Sequence, residues 1–292
     1  MNKLEKALFE TGSIKIADAD KQFWYTSGTI GPYFVNTHFL YGSEKDANEL
    51  LSFIDKNTAD KFKFANELTD RIVDFYKANS LYKEVIDYFI LKFKSEEKFL
   101  NAGYITGGER RDWFFSVIAA YLTGKKHLFI FKDLSVCDKE KIITDIKGAD
   151  VVHISDLVTQ ASSYKRAWIP AIKNINGKFI LNASIVDRDE GGKFFFDSNN
   201  IVDISAVTIN ISFLKMLLEN KIINQKQFDL IVEFKKDPIS YGKNYLSENK
   251  NFLINSLSDG KSRSKTERCI KENPYNMDFS EILDKSIISN IK

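Results

Sequence analysis

The amino-acid sequence predicts an α/β fold in which helices flank a parallel sheet, with an N-terminal hood that contains β-strands and with extra helices. Two observations support this prediction. From residue 100 onward, apolar strand-like runs alternate with helical segments, which is the pattern of a parallel sheet covered by helices. The 292 residues are 43% hydrophobic and 28% charged, so the chain can form a large buried core.

The hood is expected to comprise residues 1–43. A helix is predicted from Leu4 to Thr11. The stretch "FWYTSGTIGPYFVNTHFL" then alternates aromatic and small residues around two glycines and a proline, which predicts two short strands joined by a turn. In the next segment, residues 44–98, apolar residues recur at helical spacing and predict two or three helices.

The α/β core is predicted to cover residues 99–212. Strands are expected at "NAGYIT", "KHLFIF", "ADVVHIS" and "KFILNASIVD", with helices between them, and "AVTINIS" is either a further strand or the start of the next helix. The helix "FFSVIAAYLTG" is expected to end at Gly124, because glycine commonly follows the last helical turn. Residues 132–148 form a charged connector with room for a short helix.

The last segment, residues 213–292, is predicted to be a helical C-terminal extension. Within it, "SLSDGKSRSKTER" is rich in serine and charged residues and contains a glycine, which predicts a loop.

Composition and charge narrow the function classes. A net charge of +2 gives no electrostatic case for nucleic acid or a membrane as partner. The two cysteines, Cys137 and Cys269, lack the partners that a zinc site or a disulfide framework needs. The N-terminus has no continuous apolar run typical of a secretory signal, so a cytoplasmic location is expected.

The segment "VVHISDLVTQASSYK", residues 151–165, predicts a phosphate-binding loop. An apolar strand is expected to end at Ser155-Asp156, followed by small and polar residues and then a helix. Ligands of open parallel sheets lie beyond the carboxyl ends of the strands, and backbone N–H groups at a helix start favour anions. Ser and Thr are also ordinary helix N-caps, so this pattern alone leaves both interpretations open.

This segment resembles the motif with which type I phosphoribosyltransferases bind phosphoribosyl pyrophosphate (PRPP). In that family a hydrophobic strand leads to two acids, two apolar residues, and then threonine with a loop of small residues. Here Ser155 and Asp156 take the places of the two acids, and residues 159–163 take the place of the loop.

Three further stretches resemble one branch of this family, orotate phosphoribosyltransferase, and they follow in the same order. "YTSGTIGPYFVNT" is similar to its N-terminal Ser-Gly and Pro-Tyr-Phe-x-Asn motif. "ITGGERRDWFFSVIAAYLTG" with "KHLFIFKD" is similar to its glycine turn, helix, strand and lysine unit. "SIVDRDEGG" is similar to the strand end whose arginine, here Arg188, contacts the carboxylate of the base in that family.

The resemblance implies transfer of phosphoribose from PRPP to a nitrogenous base such as orotate, in pyrimidine nucleotide metabolism. Its implied partners are PRPP, a small acidic base and a second copy in a homodimer, and its implied cofactor is Mg²⁺, without a directly assigned ligand. The implied catalytic residues are Lys132 and Asp156, the PRPP-binding residues are Arg110, Arg111, Ser155, Asp156, Thr159, Gln160, Ala161, Ser162 and Ser163, and the base-binding residues are Ser27, Gly28, Phe34, Thr159 and Arg188.

Four positions depart from the family pattern. Ser155 replaces the first acid, Ala161 replaces a loop glycine, Thr26 replaces a lysine, and Phe131 replaces the arginine of an Arg-Lys pair. These departures keep a second hypothesis open, a non-catalytic PRPP- or nucleotide-binding regulator with the same fold. A third hypothesis is an assembly role in which the helical segments 44–98 and 213–292 bind a partner or a second copy.

Overall fold

The computed structural model describes residues 1–18 and 20–291 and has the predicted α/β architecture. The strands are β1 (Ile14–Ile16), β2 (Phe23–Trp24), β3 (Ile30–Gly31), β4 (Tyr33–Val35), β5 (Tyr104–Gly108), β6 (Lys126–Ile130), β7 (Val136–Cys137), β8 (Asp150–Val158), β9 (Lys178–Asp187) and β10 (Val202–Thr208). The α-helices are α1 (Lys3–Glu10), α2 (Glu44–Asn57), α3 (Lys61–Ala78), α4 (Ser80–Phe93), α5 (Glu97–Asn101), α6 (Trp113–Thr123), α7 (Ile169–Asn174), α8 (Gly192–Ser198), α9 (Ile211–Glu219), α10 (Gln225–Lys236), α11 (Pro238–Glu248), α12 (Lys250–Ser258), α13 (Arg263–Glu272) and α14 (Lys285–Ile291).

The chain divides into two compact units. Unit 1 contains Met1–Ile14 and Asn36–Asn210, and unit 2 contains Lys15–Val35 and Ile211–Lys292. The predicted boundaries after residues 43, 98 and 212 stay sequence-based predictions. No helix in the described part of the chain is both long enough and apolar enough to cross a membrane.

Unit 1 is built on a sheet of strand order β10-β9-β8-β5-β6-β7, counted within the described residues. Its pairings are parallel except for β7, which runs antiparallel to β6 at the edge. The two glycines that end β5 show that both faces are covered. A Cβ at Gly107 would lie 2.1 Å from Ser116 of α6, and one at Gly108 would lie 2.2 Å from the Trp168 ring. Since neighbouring strand residues point to opposite faces, α6 and the Trp168 segment cover opposite sides of the sheet.

Unit 2 combines the aromatic N-terminal hairpin with the C-terminal helices. β2 and β3 pair antiparallel, as the sequence predicted for two short strands around a turn. Trp24 and Ile30 from this hairpin are buried with Leu253 of α12 and Cys269 of α13. Tyr275 reinforces the packing, because its hydroxyl accepts a hydrogen bond from the Ile30 N–H at 2.7 Å. The hairpin therefore shares a core with the C-terminal helices.

The sequence-based element boundaries need four corrections. β8 does not stop at Ser155-Asp156 but continues to Val158, which is fully buried. The 132–148 connector contains no helix; it contains β7, whose residues are buried and pair with β6. "SLSDGKSRSKTER" is largely helical and belongs to α12 and α13, because their apolar side chains are needed in the core of unit 2. Helix α8 follows β9 and was not predicted.

The structure defines the secondary structure of two further segments more closely than the sequence did. "AVTINIS" contributes to β10 and then to α9, which begins at Ile211. The helix expected after the 159–163 loop opens with a π-helical turn, Tyr164–Trp168, and continues as α7. Helix α6 ends at Gly124 in the left-handed conformation, as predicted.

Candidate functional site

A polar cleft of about 310 Å³ lies in unit 1 at the carboxyl ends of β5 and β8. This is the edge at which parallel α/β sheets bind ligands. The turn after β5 supplies one wall, and the loop after β8 with the start of the following helix supplies the other. The lining residues are Glu109, Arg110, Arg111, Asp112, Ser155, Asp156, Leu157, Thr159, Ala161, Ser162, Ser163, Tyr164 and Trp168.

The turn after β5, residues 109–112, is fixed by Asp112. The buried Asp112 carboxylate accepts hydrogen bonds from the backbone N–H of Gly108 and of Asp156, both at 3.0 Å. One carboxylate therefore joins the turn to the end of β8. His153 lies beneath it, with Nε2 3.4 Å from the carboxylate. The peptide bond between Glu109 and Arg110 is cis.

The two arginines of this turn have different surroundings. Arg110 is paired with Asp55 of α2. Arg111 has no carboxylate within ion-pair distance among residues 1–18 and 20–291, so it is the cation of the turn that an anion could engage without breaking a pair.

Lys132 lies outside the cleft lining but is connected to it through Glu109. The Lys132 backbone N–H donates to one Glu109 oxygen at 3.0 Å, and its Nζ lies 3.2 Å from the other. Glu109 is therefore the link between the turn after β5 and the turn after β6.

Asp156 lies at the centre of the cleft. One of its carboxylate oxygens accepts a hydrogen bond from the Thr37 hydroxyl at 2.8 Å. Burial raises the pKa of Asp156 to about 7, and the neighbouring Asp112 charge adds to that rise. Arg111 and the Thr37 hydroxyl act in the opposite direction. The carboxyl group of Asp156 therefore keeps its proton to a higher pH than an ordinary aspartate does.

Ser155, the residue before it, points into a buried hydrogen-bond chain. The Tyr164 hydroxyl lies 2.6 Å from Ser155 Oγ and 2.9 Å from Asn182 Oδ1. Asn182 in turn donates through Nδ2 to Asp203 Oδ1 at 2.7 Å. Ser155 therefore lines the cleft and is linked through Tyr164 to Asn182 and Asp203 on two further strands.

The loop after β8 presents hydroxyl groups to the cleft. Ser162 and Ser163 are exposed at the start of the helix, and Thr159 is partly exposed. Ala161 is buried and has φ +56°, a left-handed conformation that normally favours glycine. The chain has thus kept a glycine-type backbone at this position with an alanine side chain.

Comparison with known proteins identifies the fold. No family model matches the sequence, and no curated protein is significantly similar to it. Among solved structures, UMP synthase from Leishmania donovani matches with a TM-score of 0.56 and 15% identity over 80% of this chain and 42% of that one. Orotate phosphoribosyltransferase from Francisella tularensis matches with a TM-score of 0.52 and 15% identity over 80% of this chain and 98% of that one.

The chain has the type I phosphoribosyltransferase fold. The predicted relationship is thereby confirmed as a distant one, at the level of fold. The chain spans less than half of the Leishmania donovani protein and almost the whole Francisella tularensis enzyme.

On this type I fold, most of the predicted PRPP-binding residues come together. Gln160 is the exception, because it is exposed and lies outside the cleft lining. The cleft lining brings together Arg110, Arg111, Ser155, Asp156, Thr159, Ala161, Ser162 and Ser163.

The predicted base-binding residues are more dispersed. Arg188 follows β9 and pairs with Glu190 at 2.8 Å, outside the cleft lining. Ser27, Gly28 and Phe34 belong to unit 2. Gly28 has φ +80°, and a Cβ there would lie 2.9 Å from the Cys269 backbone nitrogen, so the turn requires glycine for packing within that unit.

Sequence reasoning missed several residues of the cleft. Glu109 and Asp112 flank the predicted arginines, so a turn in which two acids enclose two arginines was the available signal. Tyr164 and Trp168 carried no such signal, because their position beneath the cleft depends on the path of the chain after β8. Asp55 and Thr37 are distant in sequence and reach their partners only in the fold.

Proposed function

We propose that the chain transfers phosphoribose from PRPP to a nitrogen of a small acidic base, with orotate as the expected acceptor, and releases pyrophosphate. One observation carries the proposal. A single cleft at the carboxyl edge of the sheet combines the arginine turn after β5, the hydroxyl loop after β8 and Asp156 between them. These are the groups that an anionic sugar pyrophosphate requires.

The reaction breaks the bond between the anomeric carbon of ribose and a pyrophosphate oxygen, and the base nitrogen forms the new bond to that carbon. Positive charge develops on the ribose while negative charge leaves with pyrophosphate. Arg111, assisted by Arg110, is proposed to stabilise the leaving group, and the Asp156 carboxylate is proposed to stabilise the ribose. Lys132, held by Glu109 at the rim, is proposed to approach the pyrophosphate when that ion pair opens.

The 5′-phosphate is assigned to the loop after β8. Hydroxyls of Thr159, Ser162 and Ser163 face the cleft and can donate to phosphate oxygens. The backbone at Ala161 turns through its left-handed conformation there, so the N–H groups that follow it lie at the start of the helix.

Mg²⁺ fits this donor set as an ion carried by the substrate. Among the described residues there is no cluster of three or more side chains typical of a protein-held metal. Mg²⁺ commonly takes one or two carboxylates and completes its shell with substrate phosphates and water, and Asp156 offers a carboxylate in the cleft. When bound, the ion would neutralise charge on the leaving pyrophosphate.

Recognition of the base is proposed for Arg188 and Thr159 of unit 1, whereas the base-binding roles implied for Ser27, Gly28 and Phe34 stay sequence-based predictions. A guanidinium can hold the carboxylate of an acidic base through two parallel hydrogen bonds. For Arg188 this contact would replace its present pairing with Glu190. We also propose a cytoplasmic homodimer acting in pyrimidine nucleotide metabolism.

The proposal is tested by isothermal titration with PRPP and Mg²⁺, with and without orotate, while pyrophosphate release is followed in the same samples. Binding of PRPP with orotate-dependent release of pyrophosphate is the expected result. Arg188→Ala should weaken the use of orotate far more than it weakens PRPP binding. Equal losses of both would remove Arg188 from base recognition, and an absence of PRPP binding would overturn the proposed function.

A second candidate is a PRPP- or nucleotide-binding regulator without turnover. The observation that favours it concerns Lys132 and Ser155, to which the family resemblance assigns roles in catalysis and in PRPP binding. Lys132 is paired with Glu109, and position 155 carries a serine instead of an acid. Tight binding of PRPP without pyrophosphate release across a panel of pyrimidine and purine bases would favour the regulator.

A further inference from the structure

A further cavity of unit 1, about 470 Å³ in volume, lies between α2, α3 and the 3₁₀ helix Thr37–Tyr41. Its lining combines aromatic and aliphatic side chains with charged ones. It shares no lining residue with the cleft at the carboxyl edge of the sheet. This helical cavity is therefore separate from the proposed PRPP site.

Three aromatic rings line the helical cavity. Tyr41 is buried and stacks on the half-buried Phe75, with ring centroids 4.1 Å apart and an angle of 16° between the planes. Phe53 of α2 is half-buried, and the Arg71 guanidinium lies over its ring, 4.2 Å from the centroid. The aromatic wall thus already contacts one planar cation, because the face of an aromatic ring attracts positive charge.

The charged side chains of the lining are mostly acidic. Asp46, Glu49 and Asp74 contribute three carboxylates, and Arg71 contributes one guanidinium. A cationic ligand therefore complements the charge of the lining, whereas an anion would face an excess of negative groups.

The three carboxylates differ in their partners. Those of Glu49 and Asp74 lie 3.9 and 3.5 Å from exposed lysine ammonium groups of their own helices. Asp46 is half-buried, accepts a hydrogen bond from the Ser43 hydroxyl at 2.6 Å, and has no ion-pair partner among residues 1–18 and 20–291. Asp46 is thus the carboxylate that a cation can engage without displacing a lysine.

We propose that the helical cavity binds a small organic cation, in which an amidinium or guanidinium group is joined to an apolar body. The cationic group donates hydrogen bonds to Asp46, and the apolar body packs against the aromatic walls. Planar amidinium and guanidinium groups suit both contacts, because they offer parallel N–H donors to a carboxylate and stack on aromatic rings.

Two walls of the helical cavity also contact the PRPP cleft. The 3₁₀ helix begins at Thr37, whose hydroxyl donates to Asp156 at 2.8 Å. Helix α2 supplies Phe53 to the cavity and, two residues later, Asp55, which pairs with Arg110. A cation that holds both segments in place favours these two contacts, whereas PRPP needs Asp156 and Arg110 for itself. Occupancy of the cavity therefore weakens PRPP binding, a consequence that rests on the proposed function.

The cation site is tested with three probes of nearly equal shape and different charge. At pH 7.5 benzamidine is a cation, benzamide is neutral and benzoate is an anion. In isothermal titration of the full chain, benzamidine should bind at least about tenfold more tightly than benzamide, and benzoate should bind most weakly. Equal affinities for benzamidine and benzamide, or tighter binding of benzoate, would overturn the cation site.

Two substitutions in the lining should act in opposite directions. Asp46→Asn keeps the shape of the side chain but removes its charge, so it should weaken benzamidine binding about tenfold and change benzamide binding less than about twofold. Arg71→Gln removes a like charge and should strengthen benzamidine binding about threefold. The matched control is Asp70→Asn, which is exposed on α3 outside the lining and should leave the affinity within about twofold. Unchanged affinity in Asp46→Asn, or weaker binding in Arg71→Gln, would overturn the assignment.

The effect on the cleft is measured by titrating PRPP and Mg²⁺ into the full chain with and without saturating benzamidine. PRPP affinity should fall about fivefold in the parent. It should fall less than about twofold in the double variant Thr37→Val and Asp55→Ala, which lacks both contacts to the cleft. Asp46→Asn should also abolish the effect, and a full effect in that variant would show competition within the PRPP cleft and overturn the coupling.

The remaining outcomes separate the two proposals. An unchanged PRPP affinity of the parent in the presence of bound benzamidine would overturn the coupling. Failure of the parent to bind PRPP would overturn the proposed function, whereas the titrations with benzamidine, benzamide and benzoate would still decide the cation site.

Discussion

The two walls of the cleft differ in how they are held. The turn after β5, residues 109–112, is fixed by groups from elsewhere in unit 1: Asp55 pairs with Arg110, Lys132 pairs with Glu109, and Asp112 accepts from the backbone of β8. The loop after β8, residues 159–163, presents hydroxyls that are exposed or partly exposed. The first wall is organised by long-range charges and the second by local backbone geometry.

This difference predicts different responses to substitution. A wall that depends on buried and paired charges loses several contacts when one member is removed, whereas a loop of exposed small residues loses little. The predictions below test that contrast, from the largest expected effect to the smallest.

Asp112→Ala should have the largest effect. It leaves the buried N–H group of Gly108 and the partly buried N–H group of Asp156 without their acceptor, so we expect a loss of about 2–4 kcal/mol in the free energy of unfolding, measured by urea denaturation, together with loss of PRPP binding. The control is Asp138→Ala, which also removes an acceptor of two backbone N–H groups, but in a surface turn. Equal losses for both variants would contradict the role assigned to Asp112.

Arg111→Gln should weaken binding of PRPP with Mg²⁺ about ten- to thirtyfold, because it removes the charge-assisted contact between the guanidinium and pyrophosphate. Arg110→Gln is the matched control on the neighbouring residue. Since Asp55 already pairs with Arg110, its effect should be smaller by a factor of about three or more. Titration of both variants checks the order, and a larger loss for Arg110→Gln would reverse the assignment.

Asp156→Asn should alter the pH dependence of stability. The folded state raises the pKa of Asp156 to about 7, so it binds more protons than the unfolded chain between about pH 4 and pH 7, and stability falls as pH rises through that range. The asparagine of the variant does not ionise, so the variant does not lose stability in this way as the pH rises. Relative to the parent, its free energy of unfolding should rise by about 2–3 kcal/mol from pH 5 to pH 8, measured by urea denaturation, while PRPP binding weakens.

The control for this pH effect is Asp145→Asn. The Lys147 backbone N–H holds the pKa of Asp145 below its usual value, so its carboxylate stays ionised from pH 5 to pH 8. Its difference from the parent should therefore be the same at both pH values. A pH-independent difference for Asp156→Asn as well would show that Asp156 is not destabilised by ionisation.

Ala161→Gly should have the smallest effect, below about 1 kcal/mol in unfolding free energy. Relief of the left-handed φ is offset by the loss of a buried methyl group and by the greater freedom of glycine in the unfolded chain. Ala183→Gly in β9 removes an equally buried methyl without any such relief and should cost more, about 1 kcal/mol or above. Equal costs at the two sites would show that the Ala161 conformation carries no strain.

Much of the fold could be predicted from local pattern. The alternation of strands and helices placed β5, β6, β8 and β9 because each contains a short apolar run, although β8 continues beyond its predicted end. The loop predicted for "SLSDGKSRSKTER" was wrong because that segment is polar in composition although it is largely helical. α12 and α13 are rich in Ser, Lys and Asn, and a few residues such as Leu253 and Ile270 decide their helical state through burial with Trp24.

The residues of the candidate site also divide into those that local pattern could predict and those that it could not. Several residues were predictable because they lie at the carboxyl ends of strands that the pattern identifies or just beyond them, namely Arg110, Arg111, Asp156 and the hydroxyls after β8. The network beneath them was not, since Thr37, Asp55 and Asp203 meet Asp156, Arg110 and Asn182 across long stretches of chain.

The sequence by itself determined the order of strands and helices and the kinds of side chain at the strand ends, because hydrophobic periodicity and strand termination are local properties. Only the tertiary structure decided how those side chains are used. It paired Arg110 with Asp55, gave Arg111 no carboxylate partner within the described residues, and connected Ser155 through Tyr164 and Asn182 to Asp203. The strength of a charge or a hydrogen bond depends on burial and on its partners, and both are set by residues far apart in the chain.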